Sequence, residues 1–232
     1  MKYLIVALLG LIIGAAAGGA ALYYNPLTDA IVPAADTADR TLQYSLPDRA
    51  FELSIGANAL PLGGSSGDNA LWEETIAKSA LLGIVLDDSA GKPAAVASRL
   101  IAGAAETDLL LRGVLLHDYW LLTFPGEGTV FVEVDTNVWP FLKQTFVPVW
   151  YLGRPWNGPT EFRPTAGPGA GGAAVVIGAT GRFAGVEGSA LERYRVTRLD
   201  RTTHTAAAAG ELHLNLPEPQ VAGETPPAAA TR

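Results

Sequence analysis

The chain opens with a continuous apolar run, Leu4 to Tyr24, in which none of 21 positions carries a charge. A helix rises about 1.5 Å per residue, so this run is long enough to cross a hydrocarbon layer of about 30 Å. Lys2 precedes the run, and three aspartates follow it before the first arginine, Arg40. This charge asymmetry predicts a single-pass helix in the cytoplasmic membrane, with the rest of the chain on the periplasmic or extracytoplasmic side.

A cleaved export signal is the alternative interpretation of the same segment. An apolar core from Leu4 to Ile13 is followed by three alanines at 15–17, which is typical of a cleavage site. The protein would then be secreted, and the downstream domain would again lie outside the cytoplasm.

Three glycines, Gly10, Gly14 and Gly18, recur every four residues and therefore share one face of the predicted helix. Such a face permits close approach of a second helix, which predicts a transmembrane partner or another copy of this chain. Glycine and alanine are also common in such segments without any partner, and that interpretation stays open.

Beyond the apolar run, short apolar segments alternate with turn residues, which is typical of β-strands. We expect residues 25–40 to form a linker, residues 41–216 one β-rich domain, and residues 217–232 a disordered polar tail. Residues 71–80 keep helical spacing, and residues 138–151 fit either a short helix or an aromatic loop. The predicted strands cover 41–45, 51–55, 79–86, 94–101, 108–123, 129–135, 173–177, 190–197 and 211–216.

Turn chemistry separates two pairs of these strands. Residues 87–91 read Asp-Asp-Ser-Ala-Gly and residues 125–128 read Pro-Gly-Glu-Gly, so each sequence predicts a hairpin. Many short antiparallel strands with glycine-rich corners fold as a sandwich or as a closed barrel.

Composition removes several classes of function. The net charge of −7 leaves no broad basic face for a phosphate backbone, so we expect no nucleic-acid partner. The chain has no cysteine, which excludes a disulfide, a thiolate nucleophile and a cysteine-bound metal. No Walker or dinucleotide motif occurs, His204 and His213 are too isolated to predict a metal site, and we expect no cofactor.

The segment from Val175 to Val196 reads VVIGATGRFAGVEGSALERYRV. Its core resembles the GGTGxFxxAxG hairpin of the allene oxide cyclase and dirigent-type barrels, although Ala179 and Val186 depart from that pattern. The resemblance implies a mainly β, antiparallel barrel of eight strands with an internal pocket for a small apolar ligand. The structural hairpin residues that match are Gly178, Gly181, Phe183, Gly185 and Gly188.

Carboxylates on the predicted strands are the weak candidates for catalysis. Alternation places Glu133 opposite a valine face, and a carboxylate that points into an apolar cavity has a raised pKa suited to general acid or base chemistry. Glu192 is a second candidate, and His117 is a third. Each has a plain alternative, a solvated or hydrogen-bonded structural residue.

Aromatic residues on the same strands are the candidates for ligand binding. We expect Tyr119, Phe131 and Tyr194 to serve in this way, with Tyr194 on the same face of its strand as Glu192. Two arginines, Arg193 and Arg195, take the opposite face, which we expect to meet solvent.

Two functions fit these observations. The first is an exported, membrane-anchored barrel that binds a small apolar ligand or a protein partner. The second is a cyclase-like or isomerase-like enzyme that acts on a lipid-like substrate in the barrel. The sequence has no nucleophile, metal or cofactor motif that decides between them.

Overall fold

A computed structural model describes residues 2–25, 39–46, 80–200 and 205–217. A helix, α1 (Lys2–Tyr23), precedes a domain made almost wholly of antiparallel strands. The strands are β1 (Arg40–Leu46), β2 (Ala80–Asp87), β3 (Pro93–Gly103), β4 (Leu115–Phe124), β5 (Gly128–Asn137), β6 (Thr160–Phe162), β7 (Thr165–Gly167), β8 (Ala174–Ala179), β9 (Ser189–Asp200) and β10 (Thr205–Asn215).

The strands form a closed barrel. Its order is β1-β2-β3-β4-β5-β8-β9-β10, and β10 pairs back onto β1 along the whole of that strand, from Arg40↔Leu214 to Leu46↔Ala208. The eight-stranded antiparallel barrel that the hairpin resemblance implies is therefore present. Closure satisfies the backbone groups that an open sheet would leave exposed at its edges.

Three short strands share one place in the barrel wall. Between β5 and β9, β8 pairs with both strands at one end of the barrel, β7 pairs with the last residues of β5, and β6 pairs with the middle of β9. The sequence did not predict β6 or β7, because three-residue strands among prolines are too short to show alternation.

Alternation along each strand fills the barrel with side chains. The inward positions are mainly aliphatic, and they include Leu86, Leu122, Val130, Val132, Leu212 and Leu214, all buried. Their burial is the main source of stability, since removing apolar surface from water stabilises a fold by about 25 cal/mol per Å².

The barrel has two distinct ends. We call one the hairpin end, where three connections meet at residues 88–92, 125–127 and 180–188. Here Phe183 is buried with its ring 5.2 Å from that of Phe124. Gly181 has φ of +62°, and a side chain there would overlap the Glu127 carbonyl, so only glycine suits this corner.

We call the other the helix end, because the last turn of α1 contacts it. Among the described residues, two connections lie at this end, residues 104–114 and 138–159. The second contains two short helices, α2 (Trp139–Phe141) and α3 (Val147–Trp150), joined by a π-helical turn, Leu142–Phe146. This region matches the short-helix alternative of the sequence prediction.

The first helix contacts the barrel through its carboxyl end alone among the described residues. The Tyr23 hydroxyl donates to the Lys143 carbonyl at 2.7 Å, and the Asn25 amide donates to the Leu110 carbonyl. Added methyl groups at Gly10, Gly14 and Gly18 would meet nothing within 4 Å. A helix partner for this face stays a prediction.

Within α1, the structure describes the side chains from residue 7 onward. Within these residues and the described part of the barrel, no helix is both long and apolar enough to cross a membrane.

One predicted strand was too long. We expected a strand from Asp108 to Thr123, but β4 begins at Leu115. Asp108 instead folds a tight loop, because its carboxylate accepts hydrogen bonds from the Leu110 and Leu111 amides at 2.8 and 3.3 Å. The predicted strand 51–55 and the helical spacing over 71–79 lie outside the described residues, as do His204 and the tail from residue 218.

Candidate functional site

A buried polar cluster occupies the barrel interior, where aliphatic side chains would otherwise continue. Strands from opposite sides of the wall contribute to it, because each places one or two polar residues in the inward phase of its alternation. Its members, which we call the Arg99 cluster, are Tyr44 of β1, Arg99 of β3, Asp118 of β4, and Glu192 and Tyr194 of β9.

Arg99 lies at the centre of this cluster. Its two terminal nitrogens donate to the two oxygens of Glu192 at 3.1 and 3.2 Å, a bidentate pair. The same guanidinium pairs with Asp118 and donates to the Tyr194 hydroxyl. All three charged side chains are at most 2% exposed, so the ion pairs are sealed from water.

Neighbouring groups hold both carboxylates in place. The Tyr44 hydroxyl donates to Glu192, and the Thr136 hydroxyl donates to Asp118 at 2.8 Å. The Glu192 amide donates to the Thr165 hydroxyl at 2.8 Å, a contact that ties β9 to the short strand β7. The Arg99 cluster is therefore a connected network, in which buried charges are paired and hydrogen-bonded as burial requires.

The charges in the cluster are not equal in number, because one guanidinium faces two carboxylates. Burial raises the pKa of the Glu192 carboxyl, and the nearby Asp118 charge adds to this effect, while Arg99 opposes it. For Arg99, burial alone would lower the pKa, but Asp118 and Glu192 raise it above its ordinary value. Arg99 therefore stays charged, and the Glu192 carboxyl binds a proton more readily than an ordinary glutamate does.

The two tyrosines are held in their neutral form. Burial raises the pKa of the Tyr44 hydroxyl, and the negative charge of Glu192 raises it further. Burial likewise raises the pKa of Tyr194, against the opposing charge of Arg99. Both hydroxyls are consequently hydrogen-bond donors or acceptors at neutral pH and not phenolate bases.

Aromatic rings connect this cluster to the helix end of the barrel. Phe141 of α2 stacks on Phe162 of β6 with centroids 5.2 Å apart, and Phe162 stacks on Tyr194 at 5.4 Å. Tyr194 then meets Tyr44 at 6.2 Å, and the Arg99 guanidinium lies 4.8 Å from the Trp120 ring centroid. The rings thus continue from the surface to the guanidinium.

An open cleft of about 530 Å³ adjoins the cluster. Tyr44, Phe162 and Tyr194 line it, and they are the same rings that border the buried charges. Charged residues of both signs complete its lining, including Arg193 and Arg195 opposite Glu161 and Glu211. The cleft lies where, among the described residues, β1 and β2 share one residue pair, Gln43↔Asp87.

Of the residues predicted to be catalytic or ligand-binding, two lie in the barrel interior. Glu192 and Tyr194 both belong to the Arg99 cluster, whereas Arg193 and Arg195 face the opposite side of β9. The interior position of Glu192 follows from its shared phase with Tyr194 and Val196.

Three other predicted residues lie on the outer surface instead of in an interior pocket. The inward positions of β5 are its valines, which leaves Glu133 and Phe131 outside, and Phe131 is 40% exposed. Tyr119 is 41% exposed and donates to Glu133 at 3.2 Å on that surface. Tyr119 and Phe131 border a shallow outer groove of about 160 Å³.

His117 also lies outside the barrel, in a small polar cluster of its own. Its Nδ1 is 2.6 Å from Asp135, and its Nε2 is 3.1 Å from Glu106. Burial alone would lower the pKa of His117, but the hydrogen bonds to Glu106 and Asp135 raise it overall. Among the residues that the structure describes, no three or more such side chains are arranged so that they could hold a metal ion.

Sequence reasoning missed Arg99, Asp118 and Tyr44 as members of the site. The signal was present for Arg99, because it follows Ala95 and Ala97 in the inward phase of β3. Asp118 shares a face with Trp120, which is large and buried. A charged residue in the buried phase of a strand is rare unless it is paired, and that rarity marks a site.

Comparisons with known proteins give a likeness to solved structures but none to a family model or a curated protein. No family model matches the chain, and no curated protein matches it. Among solved structures, the chain is similar to the pterocarpan synthase dirigent protein PsPTS1, with 13% sequence identity and a TM-score of 0.36. The match covers 78% of this chain and 97% of that one.

Proposed function

We propose that this chain is a membrane-attached barrel module that binds a small ligand with an apolar body and a polar group. The observation that carries the proposal is the cleft of about 530 Å³, whose wall shares Tyr44, Phe162 and Tyr194 with the Arg99 cluster. Ligand sites typically combine such ring surfaces with a few fixed polar groups. The network behind the rings holds them in one position, which lowers the entropy lost on binding.

The test uses a tryptophan to fill the cleft. Ser45 is an exposed cleft residue of β1, and Ser45→Trp adds a ring there without disturbing the core. Thr123→Trp is the matched control, since Thr123 is exposed on β4 and outside the cleft. The full chain in lipid nanodiscs is titrated with cis-parinaric acid, a fluorescent fatty acid, and with its alcohol analogue, against empty nanodiscs.

We expect saturable binding in the native chain and in Thr123→Trp, weakened at least tenfold in Ser45→Trp. Equal binding by the acid and the alcohol would assign recognition to the apolar body, whereas a preference for the acid would assign it to the cleft arginines. Unchanged binding in Ser45→Trp, or none above empty nanodiscs, would contradict the proposal.

A catalytic role is the second candidate, and it rests on the hydrogen bond from Tyr44 to Glu192. A carboxyl group with a raised pKa behind a tyrosine hydroxyl is suited to pass a proton to a ligand in the cleft. In an isomerisation, Tyr44 would pass its proton to one carbon of the ligand and regain a proton from Glu192, and the Glu192 carboxylate would then accept, through Tyr44, the proton lost from a second carbon, so that the protons balance. The test is to incubate the polyene with the protein and to record its absorbance spectrum. A spectral shift that occurs with the native chain and is lost in Glu192→Gln would support catalysis. An unchanged spectrum with the native chain would leave ligand binding as the proposed function.

Attachment to a membrane is proposed from the apolar run Leu4–Tyr24. Fractionation of cells that express the full chain tests it. Resistance to alkaline carbonate extraction, with the barrel accessible to protease added outside the cytoplasmic membrane, would support an anchor. A shortened chain in the soluble fraction would instead support a cleaved signal and secretion.

A further inference from the structure

Apolar side chains are exposed at the helix end of the barrel, beside the point where α1 ends. The β3–β4 loop carries Leu109, Leu110 and Leu111, which are 39%, 60% and 62% exposed. Beyond α3, Tyr151 and Leu152 are 64% and 58% exposed. Five large apolar side chains on two connections of the helix end are therefore exposed, and we call them the apolar patch; exposed groups of this kind mark interaction sites.

The leucine loop is ordered by its own hydrogen bonds. Asp108 accepts from the Leu110 and Leu111 amides through its side chain, and from the Arg112 and Gly113 amides through its carbonyl at 2.8 and 2.6 Å. Four consecutive amides therefore need no water. A loop that enters an apolar layer must have its backbone groups satisfied in this way.

Basic residues follow each group of exposed apolar residues. Arg112 comes directly after the leucines and Arg154 shortly after Leu152, and both are exposed. The nearby acidic residue Glu106 is engaged by His117. Long basic side chains beside apolar tips are typical of segments that rest at a lipid surface, where the charge reaches the headgroups.

The position of α1 determines which end of the barrel would face a membrane. Its last turn holds the π-helical turn through Tyr23 and the leucine loop through Asn25. Helix and patch are thus joined, and a membrane that receives the helix lies against the helix end of the barrel. Tyr23 and Tyr24 lie at the junction, and tyrosine is enriched at this depth.

We propose that the helix end of the barrel docks on the lipid surface, with Leu110, Leu111 and Leu152 inserted among the headgroups. The inference rests on the proposed membrane attachment and adds an orientation to it. The barrel stands on the bilayer with its axis steep to the surface and its hairpin end in water.

The absence of cysteine makes the test specific, because one introduced cysteine is then the only labelled site. Three single variants of the full chain are labelled with an environment-sensitive dye: Leu110→Cys in the patch, Ala90→Cys at the hairpin end and Leu11→Cys in α1. Ala90 is the matched control, since it is also an exposed loop residue. Each variant is reconstituted in phosphatidylcholine–phosphatidylglycerol vesicles that carry nitroxide on the headgroup or deep in the acyl chain.

We expect the headgroup nitroxide to quench the Leu110 label at least threefold more than the Ala90 label, with a blue-shifted emission at Leu110. Equal quenching at Leu110 and Ala90 overturns the inference, whatever α1 does. Deep quenching at Leu11 is a separate readout of the anchor. If Leu11 is quenched and Leu110 is not, the anchor stands and the docking orientation fails; if Leu110 alone is quenched, docking stands and the anchor fails.

Discussion

Two polar clusters lie on opposite faces of strand β4, and consecutive residues build them. His117 points outward to Asp135 and Glu106, whereas Asp118 points inward to Arg99. The side chain of His117 is 34% exposed, and that of Asp118 is fully buried. The chemistry is similar on the two faces, but water screens the outer pair and is excluded from the inner one.

The difference shows how burial changes the meaning of an ion pair. An exposed pair contributes about 0–1 kcal/mol and tolerates the loss of a partner, because water replaces it. A buried pair gives little net stability over an apolar filling, yet loss of one partner leaves a stranded charge and costs about 3–5 kcal/mol. The Arg99 cluster therefore tolerates the loss of one charged partner much less well than the His117 cluster does.

The largest effect is expected for Arg99→Met. This change strands two buried carboxylates, and we expect a loss of about 3–5 kcal/mol in the free energy of unfolding. Urea denaturation followed by tryptophan fluorescence measures it. The triple variant Arg99→Met, Asp118→Asn, Glu192→Gln removes all three charges, and we expect it to recover most of the loss. A triple variant no more stable than Arg99→Met would show that charge is not the cause.

A smaller effect is expected for Tyr44→Phe. The ring stays in place but the donor to Glu192 is lost, and a hydrogen bond to a charged buried group contributes about 1.5–3 kcal/mol. Tyr151→Phe is the control, since its ring is exposed at the helix end. The same denaturation experiment compares them, and equal stabilities would argue against the Tyr44 contact.

Glu192 predicts a pH dependence of stability. Its pKa is raised in the folded protein, so the folded state binds the proton more tightly than the unfolded chain does. The resulting stabilisation is complete below the ordinary pKa of 4.5 and is lost as the pH rises through the folded pKa. Unfolding of native protein and Glu192→Gln is compared between acid and neutral pH. Parallel profiles would contradict the raised pKa.

The smallest effect is expected on the outer face. Asp135→Asn removes one carboxylate from His117, so we expect the His117 pKa to fall and stability to change by less than about 1 kcal/mol. The native contribution of His117 is present below its ordinary pKa of 6.5 and is lost as the pH rises through the raised folded value. NMR titration of the ring protons measures the pKa, and an unchanged value would show that the Asp135 contact is absent in solution.

Much of the barrel was predictable because its long strands alternate. Strands β2, β3, β5 and β9 were each predicted within a few residues, since one face of each is apolar and turn residues end the run. The start of β4 was misplaced because Leu109 to Leu111 read as strand, although Asp108 folds them into a loop. Tertiary pairing, which sequence spacing does not show, decides β6 and β7.

The site was less predictable than the fold. Phase along one strand identifies Glu192 as a partner of Tyr194, but it does not say which face of β5 points inward, and so Glu133 was placed with the candidates. Arg99 and Asp118 become neighbours only through the pairing of β3 with β4, and the separation of 93 positions between Arg99 and Glu192 hides their contact. Contacts between strands so distant in sequence form only when the barrel closes.

Barrel closure also determines when during synthesis the first strand can pair. Arg40 pairs with Leu214, so the first strand of the barrel finds its long-range neighbour only when the last strand has left the ribosome. Folding dominated by distant pairings is slow, and open intermediates expose strand edges that invite aggregation. A chain whose first strand still lacks this neighbour keeps an unpaired strand edge, and a shortened chain without β10 would report how strongly that edge aggregates.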